Sequence, residues 1–169
     1  MAKVFDTEWV DGLLYTVTFL SFPSYLVKTI SSCLKLRTFE ASFQSATFTS
    51  ICMRAGVAQG GIISPVLLYL YINDMPSPSR HVELALYADD TAVIVTSRHL
   101  AMLLRYLAIY LCDLERWLST WRIAINVSKS SAMLFAKTSR RIRKPRAVQL
   151  FGEPIQWVDN ARYLGVTLY

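Results

Sequence analysis

Two adjacent aspartates between two apolar segments constrain this sequence more than any other feature. Residues 83–87 and 91–96 are rich in aliphatic side chains, and only Ala88-Asp89-Asp90 lies between them. This arrangement predicts an antiparallel β-hairpin. The flanking side chains expected to be buried are Leu84, Leu86, Ala92, Ile94 and Val95. Two like charges beside buried strands resist desolvation, so the pattern favours a divalent-metal site over the simpler alternative of an exposed acidic turn.

Periodicity and turn residues divide the remaining chain into helices and short strands. Helices are predicted over 12–20 with Asp11 as N-cap, over 23–36, over 64–73 with Ser64 as N-cap, and over 98–121. The helix at 64–73 is apolar all round, which predicts burial on all sides. A hairpin is predicted over 37–54, and strands over 123–125, 132–135, 148–150, 155–158 and 163–168. The order indicates one α+β domain over residues 1–169, with an antiparallel sheet backed by helices.

The composition is that of a folded domain with apolar faces. Of the 169 residues, 53% are hydrophobic and 18% are charged, which excludes a disordered chain. The mean hydropathy of +0.33 fits either a membrane protein or a domain whose neighbours cover its surface. A bilayer span needs about 20 apolar residues, and the runs at 62–72 and 100–112 are shorter, so no membrane partner is expected. The acidic N-terminal residues do not fit a secretory signal, and we expect an intracellular protein, nuclear or cytoplasmic.

Cysteines and basic residues give weaker indications. The three cysteines are far apart, without the spacing of a zinc site or a disulfide framework, and are expected to be buried thiols in a reducing compartment. The net charge is +6, and six cations fall within ten residues without an acid among them. This segment either contacts phosphates or forms a solvated basic loop. Its cations are Lys137, Arg140, Arg141, Arg143, Lys144 and Arg146.

The aspartate pair belongs to a series of short motifs. Residues 87–90 read Tyr-Ala-Asp-Asp, residues 56–65 read Gly-Val-Ala-Gln-Gly-Gly-Ile-Ile-Ser-Pro, and residues 70–74 read Leu-Tyr-Ile-Asn-Asp. Trp121, Asn126, Lys129 and Ser130 follow, and residues 163–166 read Tyr-Leu-Gly-Val. In this order the series resembles the reverse transcriptases of non-LTR (LINE-type) retrotransposons, most closely the jockey-like group. Ala58 and Gly61 depart from that family's Pro and Ser.

The resemblance implies a fold and an activity. The chain would be a fragment of a reverse-transcriptase palm with fingers and thumb largely missing, with a basic loop over 137–146 and strands leading towards the thumb over 147–169. The activity would be RNA-directed DNA polymerisation by a mobile element, transferring a nucleotide from dNTP to a primer 3′-hydroxyl. The implied partners are an RNA template, a DNA primer and dNTP, with Mg²⁺ or Mn²⁺ as cofactor.

Site residues are carried over motif by motif. Asp89 and Asp90 would hold the metals, and Lys129 would protonate the leaving pyrophosphate unless it is an exposed structural lysine. Phe5 would face the 2′ position of the sugar unless it is an ordinary core residue. The residues implied to line the nucleotide pocket are Phe5, Gln59, Gly60, Gly61, Tyr87 and Ala88.

The N-terminus departs most from the family. The first catalytic motif, Asp-x-x-Lys-Ala-Phe-Asp, is matched only by residues 2–6, with Val4 in place of Ala. Its metal-binding Asp would precede Met1, so these 169 residues are not expected to polymerise DNA by themselves. One alternative is a non-catalytic remnant that still binds nucleic acid. A nucleotide cyclase would share paired carboxylates but would not need the motifs around Gln59, Lys129 and 163–166.

Overall fold

The chain has an α+β architecture, as predicted. The computed structural model describes residues 9–35, 37–40, 42–43, 46–47, 49–53, 55–57, 60–76, 79–87, 90–136 and 145–169. Within these residues, four helices accompany eleven short strands. The strands form five small sheets rather than one continuous sheet, and all pairs are antiparallel except β7 with β9.

Contacts divide the chain into two compact units. The helical unit comprises residues 3–74 and 121–123, and the hairpin unit comprises residues 75–120 and 124–169, with residues 1–2 assigned to it. The expectation of a single domain stays a prediction.

The helical unit contains three helices and two nested hairpins. The helices are α1 (Val10–Phe19), α2 (Ser24–Leu34) and α3 (Ser64–Tyr71). The strands are β1 (Arg37–Phe39), β2 (Ser42–Phe43), β3 (Ala46–Thr47) and β4 (Ile51–Met53). Strand β1 pairs with β4 and β2 pairs with β3, which confirms the hairpin predicted over 37–54.

Helix α1 packs on α2 and α3 through an apolar stripe. Val10, Leu13 and Val17 recur at helical spacing and are buried, as are Leu67 and Leu68 of α3.

Two details of these helices differ from the prediction. Asp11 is not the N-cap, because α1 starts at Val10, two residues earlier than predicted, behind Trp9, and the Asp11 carboxylate pairs with Lys35 at 3.4 Å. Ser64 is not the N-cap either, since it is the first helical residue, behind Ile63. Helix α3 is not buried on all sides, since Val66 and Tyr69 are 57% and 51% exposed.

The hairpin unit is built around one long helix. It contains β5 (Val82–Tyr87), β6 (Asp90–Val95), α4 (Leu100–Thr120), a 3₁₀ turn (Val127–Lys129) and five later strands. These are β7 (Ser131–Ala132), β8 (Val148–Leu150), β9 (Glu153–Trp157), β10 (Ala161–Tyr163) and β11 (Val166–Leu168). Helix α4 packs on β5, β6 and β8. In the second half of α4, Leu111, Leu114 and Leu118 recur at helical spacing and are buried.

The strand predictions after α4 need correction. Residues 123–125 form no strand, and residues 133–135 lie beyond the end of β7. The predicted strand 163–168 is broken by Leu164 and Gly165, whose φ angles of 48° and 81° turn the chain between β10 and β11. Gly165 was the available signal, because a glycine within a strand pattern often marks a turn or bulge.

The expectation of buried thiols is wrong. Cys33, Cys52 and Cys112 are free and exposed. Cys33 and Cys112 lie beside the buried Leu34 and Leu111 but face solvent, and all three residues of the strand that holds Cys52 are exposed. Composition alone does not make this distinction. In the described part of the chain, no helix is long and apolar enough to cross a bilayer.

Candidate functional site

The aspartate pair lies at the end of a regular hairpin. Strands β5 and β6 pair in continuous register from Val82↔Val95 to Tyr87↔Asp90, which leaves two residues between the last pair. Those two, Ala88 and Asp89, lie outside the described residues. Asp90 is the first residue of β6 and is exposed. The predicted hairpin is therefore confirmed for its described part.

The two faces of this hairpin differ in exposure. Paired residues share a face, so Tyr87 and Asp90 lie on the same face as Glu83 and Ile94. These four residues are exposed, and the paired Ala85 and Ala92 lie between them. The opposite face starts at the buried Val82 and is otherwise half-buried, so the flanking strands are less buried than predicted. The exposed face can thus offer a carboxylate to solvent beside small side chains.

Thr91, on the half-buried face, was not singled out from the sequence. Its hydroxyl oxygen is buried and has no hydrogen-bond partner among the described residues. A buried hydroxyl without a partner is destabilising. No sequence signal marks this position, because threonine is common in strands.

The C-terminal motif contacts the aspartate hairpin within the hairpin unit. The Tyr163 hydroxyl donates a hydrogen bond to the Ala85 carbonyl at 3.3 Å. Ala85 lies two residues before Tyr87 on β5, and Tyr163 ends β10 just before the Leu164-Gly165 turn. The motif at 163–166 is therefore a hairpin turn tied to β5 rather than a continuous strand.

The Asn-x-x-Lys-Ser motif is a capped 3₁₀ turn in the same unit. The Asn126 side-chain oxygen accepts from the Lys129 backbone N–H at 3.2 Å and from the Ser128 hydroxyl at 2.6 Å. The Ser130 hydroxyl donates to the Asn126 carbonyl at 3.2 Å. Asn126 thus has a structural role as N-cap. Lys129 is exposed, and its ammonium forms no ion pair with any described residue.

The predicted nucleotide loop belongs to the helical unit. Gly60 is exposed with φ at 82°, a conformation that favours glycine, and no described residue lies within 4 Å of where a Cβ would stand. The Gly61 carbonyl accepts from the Ser64 N–H at 3.1 Å, which joins the loop to α3. Gln59 and Phe5 lie outside the described residues.

Arg37 anchors the chain leading into that loop, and sequence reasoning missed it. Its guanidinium donates to the carbonyls of Leu34 at 3.1 Å and of Ala55 at 3.3 Å, and also to the carbonyl of Gly56. The arginine therefore holds the end of α2 against the segment before Gln59. An arginine at the start of a strand gives no sequence signal for this role.

The described residues include part of the predicted metal-binding and phosphate-binding groups. They contain no group of three or more His, Cys, Asp or Glu side chains that could hold an ion, and Asp89 is not among them. The Asp90 carboxylate is the hard oxygen donor that Mg²⁺ prefers. Of the six clustered cations, the described one is Arg146, which is exposed and whose carbonyl accepts from Trp157 Nε1 at 3.1 Å.

Comparisons with known proteins agree with the order of the motifs. The family described as reverse transcriptase (RNA-dependent DNA polymerase) matches residues 1–168. The RNA-directed DNA polymerase from mobile element jockey of Drosophila melanogaster is 34% identical over 173 residues, covering 98% of this chain and 18% of the relative. The probable RNA-directed DNA polymerase from transposon BS of the same organism is 32% identical, covering 99% and 19%. That from transposon X-element, also from D. melanogaster, is 33% identical, covering 98% and 18%.

Proposed function

Because this chain belongs to the reverse transcriptase family, we propose that it forms the palm of an RNA-directed DNA polymerase encoded by a mobile element. The chain spans about a fifth of the length of the relatives it matches, 18–19%. Fingers and thumb would lie largely outside these 169 residues. The observation that carries the proposal is the β5–β6 hairpin, which exposes Asp90 directly after Asp89 on the face shared with Tyr87.

Asp89 and Asp90 would hold Mg²⁺, or Mn²⁺, at the end of this hairpin. Carboxylate oxygens are suitable donors, and the exposed face leaves Asp90 open to a substrate phosphate. When bound, the ions would lower the pKa of the primer 3′-hydroxyl and stabilise the charge on the pyrophosphate. The continuous register of the β5–β6 hairpin fixes the position of Asp90 at the start of β6.

Other residues would hold the nucleotide. Gln59 and the Gly60-Gly61 backbone would contact dNTP, since glycine at positive φ lets the backbone approach a phosphate closely. Tyr87 and Ala88 would contact dNTP as well, and Phe5 would exclude a 2′-hydroxyl. Lys129, exposed and without an ion pair among the described residues, would donate a proton to the leaving pyrophosphate.

The template RNA and the DNA primer would be bound mainly through their phosphates. The net charge of +6 and the cations at 137–146 support this role. These substrates also support an intracellular place of action.

The test uses a chimera in which this chain replaces the matching residues of the jockey polymerase. Asp89→Ala and Asp90→Ala should each lower dNTP incorporation at least about a thousandfold, since metal ions supply several kcal/mol of transition-state stabilisation. Template–primer binding should survive, because basic residues supply most of that affinity. Glu83→Ala is the matched control, an exposed carboxylate on the same face at the other end of the hairpin.

Other outcomes discriminate between the alternatives. Near-normal turnover in Asp89→Ala or Asp90→Ala would refute the metal assignment. A wild-type chimera that binds template–primer but incorporates nothing would indicate a non-catalytic remnant. In an active chimera, Phe5→Ala should admit ribonucleotides, and unchanged discrimination between dNTP and rNTP would make Phe5 an ordinary core residue.

A further inference from the structure

A buried aromatic cluster joins three segments of the helical unit. Tyr71 and Trp121 form its ring pair, and the half-buried Trp9 is joined to Tyr71 through its backbone N–H. The Tyr71 side chain is 1% exposed and meets the Trp121 ring edge-on, with 5.4 Å between centroids and 77° between planes. The Arg122 guanidinium lies 4.4 Å from the centroid of the Trp9 ring. Such contacts combine apolar burial with directional attraction.

Hydrogen bonds give the cluster a defined geometry. The Tyr71 hydroxyl accepts from the Trp9 backbone N–H at 3.4 Å and donates to the Trp121 carbonyl. Trp121 Nε1 donates to the Asp74 carboxylate at 3.0 Å. One phenol therefore links the start of α1, the end of α3 and the turn after α4. Phenylalanine at position 71 would keep the ring but leave a buried carbonyl and an N–H short of a partner.

Two of these segments lead directly from the proposed nucleotide pocket. Trp9 lies four residues after Phe5, and α3 begins three residues after Gly61. The Ser64 N–H bond to the Gly61 carbonyl ties the loop to α3, and the helix is a rigid rod from Ser64 to Tyr71. A change in the position of Tyr71 would therefore move α3 and, with it, the Gly60-Gly61 backbone.

We propose that Tyr71, supported by Trp121 and Asp74, is a positioning residue for the nucleotide pocket. Its hydroxyl sets α3 against the start of α1, and so sets the position of the Gly60-Gly61 backbone, which is tied to the other end of α3. None of the three touches nucleotide. The inference rests on the proposed function, since it presumes that this loop and Phe5 receive dNTP.

The test compares Tyr71→Phe with Tyr69→Phe in the jockey chimera. Tyr69 is the matched control, because it lies on the same helix but is 51% exposed. Both variants are assayed for KM for dNTP and for kcat per active site, after titration of active sites in a burst experiment. Tyr71→Phe should raise KM for dNTP roughly three- to tenfold, the range expected when the hydrogen bonds of one hydroxyl are lost. Tyr69→Phe should leave KM unchanged.

A purely structural role gives a different result. It would lower the fraction of active molecules without changing KM or the kcat of those that remain. An unchanged KM in Tyr71→Phe, with the wild-type chimera active and the Asp90→Ala chimera inactive, overturns the positioning role alone. A wild-type chimera that incorporates nothing overturns the proposed function and this role with it.

A second pair of variants tests the proposal without changing Tyr71. Trp121→Phe removes the Nε1 donor and should raise KM for dNTP. Asp74→Asn keeps an oxygen acceptor for the indole and should leave KM for dNTP close to the wild-type value. Trp157→Phe is the control, since its indole also donates a hydrogen bond, to the Arg146 carbonyl, but lies in the hairpin unit. If Tyr71→Phe does not fold, an unchanged KM in Trp121→Phe overturns the proposal.

Discussion

Tyr110 shows how a single residue couples burial to protonation. It lies on the buried side of α4, and its hydroxyl donates to the Pro76 carbonyl at 3.4 Å. Burial, and secondarily the negative charge of Asp113, raise the pKa of Tyr110 from its ordinary value of 10.0 to about 12. The phenol therefore keeps its proton in the folded chain at pH values where the unfolded chain loses it.

This shift predicts alkaline destabilisation with a defined sign. A raised pKa contributes stability below pH 10 that is lost as the pH rises towards 12, because the unfolded state releases its proton first. Over that window the free energy of unfolding should fall by up to roughly 2 kcal/mol from this group alone. Urea unfolding of the 169-residue chain at several pH values measures the fall. Tyr110→Phe should flatten it, and an equal slope in wild type and variant would contradict the assignment.

At the scale of elements, two hairpins share a turn whose first residue is not a type that favours positive φ. Residues Phe151-Gly152 connect β8 to β9, and Leu164-Gly165 connect β10 to β11. All four φ angles are positive, between 48° and 81°, as in a type I′ turn. Leucine and phenylalanine are poorly suited to this region, which Asn and Gly occupy more readily. Each turn therefore carries backbone strain at its first residue.

Relieving this strain should stabilise the chain. Leu164→Asn creates the Asn-Gly pair that type I′ turns prefer and should raise the free energy of unfolding by about 1 kcal/mol. Leu164→Ala is the control, because it shortens the side chain but leaves a non-glycine Cβ at positive φ. Gly165→Ala should destabilise the chain by about as much, and for conformational reasons, since nothing in the described part of the chain lies within 4 Å of the added Cβ. Thermal unfolding of the three variants gives the comparison, and an equal gain for Leu164→Ala would attribute the effect to side-chain size.

The elements also show which predictions a sequence permits. The β5–β6 hairpin followed from alternation, and the start of α3 from a Ser-Pro pair, because both signals are local. The Tyr163 bond to Ala85 and the Arg37 bond to Gly56 join residues far apart in sequence, and no local pattern encodes them. Some predictions of which side chains are buried were wrong for the same reason. Whether Cys52 or Val66 faces solvent depends on which neighbours pack against its element. The roles of Asp89, Gln59 and Phe5 stay predictions.

At the scale of the whole molecule, charge is the property with a measurable consequence. The chain carries 18 basic and 12 acidic residues and has a pI of about 9.4. The described residues form two ion pairs, Lys35 with Asp11 and Arg116 with Asp113. The other described lysines and arginines form no ion pair with a described residue.

Replacing the six cations of 137–146 with glutamine should weaken template–primer binding and reduce its dependence on salt. The slope of log Kobs against log salt should become shallower by up to about five, since each contacted phosphate contributes about 0.9. Fluorescence anisotropy with an RNA–DNA hybrid between 50 and 300 mM salt measures the slope. Lys28→Gln with Arg105→Gln changes two exposed cations outside the segment and should have a smaller effect. An unchanged slope in the six-residue variant would show that the segment is a solvated loop.

The parallel pairing of β7 with β9 has a consequence for the order of folding. Hairpins with two-residue connections close within microseconds and need little loop-closure entropy. The β5–β6, β8–β9 and β10–β11 pairs are of this kind. Strand β7 instead pairs with β9 in parallel, with Ser131 opposite Gln156. This pairing must therefore close a long loop over the residues that lie between the two strands. That stretch holds the clustered cations, whose mutual repulsion opposes the closure. We expect this pairing to form last, and a polyanion that neutralises the segment to accelerate it.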